Sequence, residues 1–157
     1  MNQAKELLQY LFNALKIWVI VQPWEQAVRT RFGKNPTILN KGIYFKLPYI
    51  DSVFVQETRL RICDTPMLTA TTKDLKTITI SLSIGYSISN IEKLYNSLYH
   101  PETTIRNIAM SEVSRMIFKN SIDDVKPEHI ESLAIEKLKE LNYGITFEYL
   151  KITNFAV

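Results

Sequence analysis

The sequence predicts an α+β fold: a mainly antiparallel sheet with packed helices, preceded by an N-terminal amphipathic helix. Three observations predict it. Thr77 to Ile88 alternates apolar and polar side chains without a fault. Two later stretches carry apolar residues at helical spacing behind a proline. Strand chemistry then returns near the C-terminal end.

Taken in order, residues 2–16 form the helix. At about 100° per residue, Asn2, Lys5, Glu6, Gln9, Asn13 and Lys16 fall on one narrow polar strip. The remaining surface is apolar: Ala4, Leu7, Leu8, Tyr10, Leu11, Phe12, Ala14 and Leu15, with Trp18 beyond. A bilayer-spanning helix needs about 20 apolar residues, and Gln9, Asn13 and Lys16 interrupt this one. A signal peptide fits poorly, because the start carries little positive charge and no small-residue cleavage pattern follows. Lying in the membrane interface suits the wide apolar arc and its aromatic residues. Residues 1–16 are therefore expected to be a monotopic anchor, with membrane contact through Leu7, Leu8, Leu11, Phe12, Leu15 and Trp18. The same leucines would also suit packing on the domain or on a second subunit.

Ile17 to Val21, bounded by Pro23, reads as a strand with no polar face, or as an extension of the helix. Ala27 to Lys34 and Lys41 to Val53 read as the two strands of a hairpin, with Pro48 ending the second because it removes a ladder donor. Val53 to Arg61 suggests a further strand, leading through Asp64-Thr65-Pro66 into a turn. Along the next strand Ile78, Ile80, Leu82, Ile84, Tyr86 and Ile88 share one face, and Thr77, Thr79, Ser81, Ser83, Gly85 and Ser87 the other.

A short helix is expected over 91–99, capped by Asn90. The next starts at Pro101-Glu102 and carries Ile105, Ile108, Ala109, Val113, Met116 and Ile117. Pro127 opens the last, whose stripe is Ile130, Leu133, Ala134, Leu138 and Leu141, with Gly144 as its stop. Ile145 to Phe155 returns to strand chemistry.

At 157 residues, with 46% apolar and 22% charged residues, the chain can bury a real core. We expect one domain, residues 17–157, after the anchor. Its single cysteine, Cys63, cannot close an internal disulfide, so the expected setting faces the cytoplasm. A net charge of +3 without a basic run interleaved with stacking aromatics argues against nucleic acid. Between Trp24 and Lys46, however, Arg29, Arg31, Lys34, Lys41 and Lys46 face only Glu25, which suits anionic lipid or a plain solvated basic face.

Catalytic signals are weak. His100 and His129 lie far apart, each beside a proline-marked helix start. Cys63 has no local signature of a nucleophile and reads as a buried structural thiol. No metal spacing, phosphate-cradling loop or nucleophile elbow occurs. Asp123-Asp124 with Glu128 and Glu131 suits the positive end of the last helix better than a cation site. No catalytic residue, cofactor or metal is expected.

The stretch Ala27-Val28-Arg29-Thr30-Arg31-Phe32-Gly33-Lys34 followed by Lys41-Gly42-Ile43-Tyr44-Phe45-Lys46-Leu47-Pro48-Tyr49-Ile50-Asp51 resembles the opening signature of the stomatin, prohibitin and flotillin superfamily, the SPFH or Band 7 domain. Thr72-Lys73-Asp74 matches that family's TKD turn, and Tyr143-Gly144-Ile145 its last helix-to-strand turn. Trp24 stands where the first turn usually has glycine, and Lys41 where a proline usually precedes Gly42.

The resemblance implies a non-enzymatic, membrane-associated scaffold, peripheral or monotopic. It homo-oligomerises and organises a membrane patch and the proteins within it, with a membrane protease or a channel among the partners of relatives. Arg31, Phe32, Gly33, Gly42, Pro48, Asp51 and Asp74 carry over as structural motif positions. The expected partners are membrane lipids, preferably anionic, and further copies of the chain. The sequence as given carries no long coiled coil after the domain, the segment by which most relatives assemble. Assembly is thus expected to use either such a segment outside this sequence or faces of the domain. The alternative is a structural subunit of a closed soluble or viral particle, since the vault shell uses a similar domain.

Overall fold

The computed structural model describes residues 17–156. The expected anchor, including Leu7, Leu8, Leu11, Phe12 and Leu15, lies outside them. The chain divides into two compact units, one ending at Arg59 and one beginning at Leu60.

The first unit holds β1 (Trp18–Val21), β2 (Glu25–Arg31), β3 (Lys34–Leu39), β4 (Gly42–Phe45) and β5 (Asp51–Glu57). β2 lies between β3 and β5 in an antiparallel sheet, and β1 pairs antiparallel with β4 as a separate ribbon. The expected hairpin between residues 27–34 and 41–53 is therefore corrected. β2 turns back at once on β3, because Phe32 and Gly33 both take positive φ (52° and 68°), the backbone of a two-residue turn that matches strand twist. β3 leaves little signal in the sequence, since it is exposed until Leu39. Its Pro36 is tolerated because β3 is an edge strand.

Of the run 17–21, Trp18–Val21 is strand and not helix. Val21 packs with Ala27 and Leu39, against Val19, Tyr44 and Val53. The opposite face of the ribbon stays in solvent.

The second unit holds β6 (Arg61–Asp64), β7 (Leu68–Thr71), β8 (Thr77–Ile88) and β9 (Ile145–Ala156). Its helices are α1 (Ile91–Ser97), α2 (Pro101–Lys119) and α3 (Pro127–Glu140), with a 3-10 turn over Ile122–Asp124. β8 is the central strand, pairing β6 and β7 along one edge and β9 along the other, all antiparallel. The alternation read in the sequence is realised, with Ile78, Ile80, Leu82, Ile84 and Tyr86 buried. Between β6 and β7 the ladder is carried by one residue. Thr65 donates its backbone N–H to the Leu82 carbonyl (2.8 Å), and its hydroxyl oxygen accepts the Leu82 N–H (2.8 Å).

The helices cover this sheet, α2 against β7 and β6, and α3 against β9 and α2. α2 buries Ile105, Ala109, Val113 and Ile117, a strict four-residue repeat, and α3 buries Ile130, Ala134 and Leu138. Leu133 is left partly exposed beside the stripe. Asn90 caps α1 as expected, its side-chain oxygen accepting the Lys93 N–H at 2.9 Å.

Gly144 has a different task from the helix stop expected of it. α3 ends at the extended Leu141, and Gly144 follows at φ +75°. Its carbonyl accepts the N–H groups of Ser89 (3.0 Å) and Asn90 (3.1 Å). A side chain there would meet the Asn90 carbonyl oxygen, which is backbone and cannot swing away. Gly144→Ala is therefore expected to cost about 2 kcal/mol or more. A urea titration by circular dichroism checks this, and an unchanged midpoint would refute it.

Candidate functional site

The best-defined polar site in the first unit is an ion pair between the end of β2 and the start of β5. Arg31 and Asp51 are cross-strand partners. The guanidinium grips the carboxylate with two bonds, Nε to Oδ1 at 2.9 Å and Nη2 to Oδ2 at 3.3 Å. Oδ2 also accepts the Leu47 N–H at 3.1 Å. The Asp51 side chain has no exposed surface, whereas Arg31 is half exposed. The Arg31 hydrogen bonds and then the Leu47 N–H draw the Asp51 pKa down to about 2 against the opposing effect of burial, and the same contact raises that of Arg31.

This pair holds two turns. Phe32 donates its N–H to the Ile50 carbonyl (2.9 Å), and Asp51 and Ile50 donate to the Leu47 carbonyl (3.0 and 3.3 Å). Phe32 and Tyr49 are thereby fixed at turn tips with positive φ, 52° and 66°. Both side chains stand in solvent, Tyr49 at 96% exposure and Phe32 at 73%.

The open face of the β1–β4 ribbon adjoins them. Its register pairs Trp18 with Phe45 and Ile20 with Ile43, all four exposed. Trp18 and Phe45 meet edge to face with centroids 5.6 Å apart. Lys46 donates its N–H to the Ile17 carbonyl, which ties the turn holding Tyr49 to the entry of β1. Arg29 reaches the Phe45 carbonyl from β2 (3.4 Å), and Lys34 and Lys46 stand nearby in the chain. One end of the unit thus combines exposed aromatic residues with cations.

Against known protein families, residues 19–154 match the SPFH domain / Band 7 family. The chain belongs to this family. It is 27% identical to an uncharacterized protein of Methanocaldococcus jannaschii, over 90% of this chain and 73% of that one. It is 29% identical to protein HflK of Borreliella burgdorferi, over 86% of this chain and 51% of HflK. It is 22% identical to the modulator of FtsH protease HflC of Escherichia coli, over 80% of this chain and 41% of HflC. The chain thus spans about half the length of HflK and less of HflC.

The SPFH motif residues fall into separate tasks. Arg31 and Asp51 form the ion pair, Phe32 and Gly33 the β2–β3 turn, and Pro48 lies in the turn the pair closes. Gly42, at φ +149°, opens β4. Asp74 belongs to the second unit, where its Oδ1 accepts the Ser121 hydroxyl (3.2 Å) and its Oδ2 the Ile122 N–H (3.1 Å). It fixes the exit of α2, a long-range role that reading it as a turn residue missed.

Of the expected membrane-contact residues, Trp18 is the one within the described residues. Ile20, Ile43, Phe45 and Tyr49 are exposed as well; of these only Ile20 had a signal in the sequence, the absence of any polar face in 17–21. Among the described residues no helix is long and apolar enough to cross a membrane, and no cluster of three or more metal-ligating side chains occurs.

The groups considered for chemistry are placed as follows. Cys63 is buried; its thiol lies 3.8 Å from the Glu102 carbonyl oxygen, and Arg106 Nη2 lies 3.7 Å from the sulfur. His100 is exposed and stacks edge-on with Tyr99, and His129 is exposed on α3. Tyr86 donates to Glu102 at 3.2 Å, and burial, then the Glu102 charge, push its hydroxyl up to about 12.

Because the Asp51 pKa is depressed in the folded state, the pair stabilises the fold above the unfolded value of about 4. That contribution is lost as pH falls from about 4 to about 2. Asp51→Asn should lower the urea midpoint at pH 7, and its deficit against the natural chain should shrink over that window. A deficit that stays constant down to pH 2 would refute the assignment.

Proposed function

We propose that this chain is a membrane-associated, non-enzymatic scaffold that homo-oligomerises and organises a membrane patch and the proteins in it. The observation that carries the reading is the aromatic and cationic end of the first unit. Trp18, Phe45, Phe32 and Tyr49 are exposed there beside Arg29, Arg31, Lys34 and Lys46. Trp and Tyr rings such as Trp18 and Tyr49 settle at the headgroup level, the Phe rings add apolar area for the acyl boundary, and each nearby Lys or Arg adds about 1 kcal/mol at an anionic surface. Residues 1–16 join the chain at this same end, so Leu7, Leu8, Leu11, Phe12 and Leu15 would extend one contact that begins at Trp18.

A single short anchor binds reversibly, and stable attachment comes from many copies acting together. That is the physical reason to couple membrane contact to self-assembly. The likeness to a modulator of FtsH protease supports a protease as the kind of protein such a patch would govern; a protease in the membrane is the partner proposed here, with a channel as the other kind. The proposed setting is peripheral or monotopic on the cytoplasmic face.

Flotation with vesicles of neutral lipid, with and without anionic lipid, tests the reading. The chain should float, more strongly with anionic lipid. Leu11→Glu should release it with its circular dichroism unchanged, and loss of folding instead would place that leucine in a core. Tyr49→Gly should weaken partitioning roughly fivefold, about 1 kcal/mol, without loss of folding, because its positive φ suits glycine. Failure to float, with closed uniform particles in lipid-free micrographs, would favour the shell subunit instead.

A further inference from the structure

In the second unit two large apolar side chains stand in solvent where other residues would be less costly. Leu75 is 85% exposed at φ +60°, and Phe118 is 68% exposed. A leucine in the left-handed region is strained, and its exposure yields no burial in return. The surroundings enforce it. Leu75 donates its N–H to the Thr72 carbonyl (3.0 Å), Lys73 donates to the Asn120 carbonyl (3.1 Å), and Asp74 accepts from Ser121 and Ile122. The clamp holds the turn that carries Leu75 against the C-terminal end of α2, which carries Phe118, and the two side chains make up the knob. Lys73 and Lys76 flank Leu75, exposed and without an ion pair among the described residues.

Across the same unit, α3 and β9 enclose an open cleft of about 410 Å³. Ile135, Tyr149 and Leu150 supply its apolar lining, and Glu128, Glu131 and Glu148 its acids. Glu131 is engaged, accepting from Lys151 Nζ (3.1 Å) and the Ile152 N–H (2.8 Å). Glu128 and Glu148 are exposed and carry no ion pair among the described residues. Since α2 lies on β7 and α3 on β9, knob and cleft occupy opposite edges of the sheet. Asp123 and Asp124 follow the clamp, so the complementarity is local to Lys73 and Lys76 on one side and Glu128 and Glu148 on the other.

We infer that Leu75 and Phe118 of one copy seat in the α3–β9 cleft of the next. The contact is head-to-tail and leaves a free knob and a free cleft at its two ends, so it repeats into a ring or filament. It rests on the self-assembly proposed above and names the faces that carry it.

The test uses the full chain in sedimentation velocity, in solution, and in chemical cross-linking on anionic vesicles. Leu75→Gly should keep or raise thermal stability while weakening association about tenfold. Lys76→Glu and Glu148→Lys should each weaken association about tenfold by opposing like charges. An equal mixture of these two chains should associate as the natural chain does, because every knob then meets a cleft of opposite charge. A mixture no better than its components, or single variants that associate normally, would overturn this interface and leave the scaffold reading intact. A natural chain that stays monomeric both in solution and on vesicles would overturn both.

Discussion

A carboxylate with no exposed surface governs the first unit. Asp51 leaves water only because Arg31 supplies two charged donors and Leu47 a third. An unpaired carboxylate shut away from water in that position would be unfavourable. The chain on both sides must therefore adopt whatever path keeps those donors in place. One consequence is the tight β2–β3 turn beside Arg31, and another is the Leu47–Ile50 turn beside Asp51. Both project an aromatic side chain outward from a backbone conformation that glycine would occupy more cheaply.

That expenditure is the physical case for function at this end. Exposed apolar residues are ordinary singly, but here they gather, on turn tips and on one face of a two-stranded ribbon. The ribbon makes the point by contrast. Val19, Val21 and Tyr44 turn inward to a small core, while Trp18, Ile20, Ile43 and Phe45 turn outward with no polar residue among them. That composition is what the proposed interfacial contact would use.

The second unit solves a similar problem with different chemistry. Asp74 reaches 47 and 48 positions along the chain to satisfy a hydroxyl and an N–H where α2 gives way to the 3-10 turn. Gly144 receives two N–H groups at the start of α1, and Thr65 repairs the ladder where β6 passes into β7. In each case a residue that reads as a local turn signal acts on a distant segment. Among the family motif positions, Arg31, Asp51, Asp74 and Gly144 thus make long-range polar contacts, while Phe32, Gly33 and Gly42 serve local backbone geometry.

The sequence by itself determined the α+β plan, the long β8, the proline starts of α2 and α3, the Asn90 cap and the closing strand. These follow from local periodicity and capping, which neighbouring residues specify among themselves. It also carried the family signature through Arg31, Phe32, Gly33, Asp51 and Asp74. Only the tertiary structure decided strand partners. β2 turns to the exposed β3, which has no periodicity to read, and β4 pairs with β1, because pairing depends on contacts far apart in sequence. The same holds for the candidate surfaces: Trp18 was legible, but Phe45 and Tyr49 became part of a face only once β1 met β4 and Arg31 closed on Asp51. Periodicity states which side chains share a face of one strand, and it cannot state which faces remain uncovered when the strands come together.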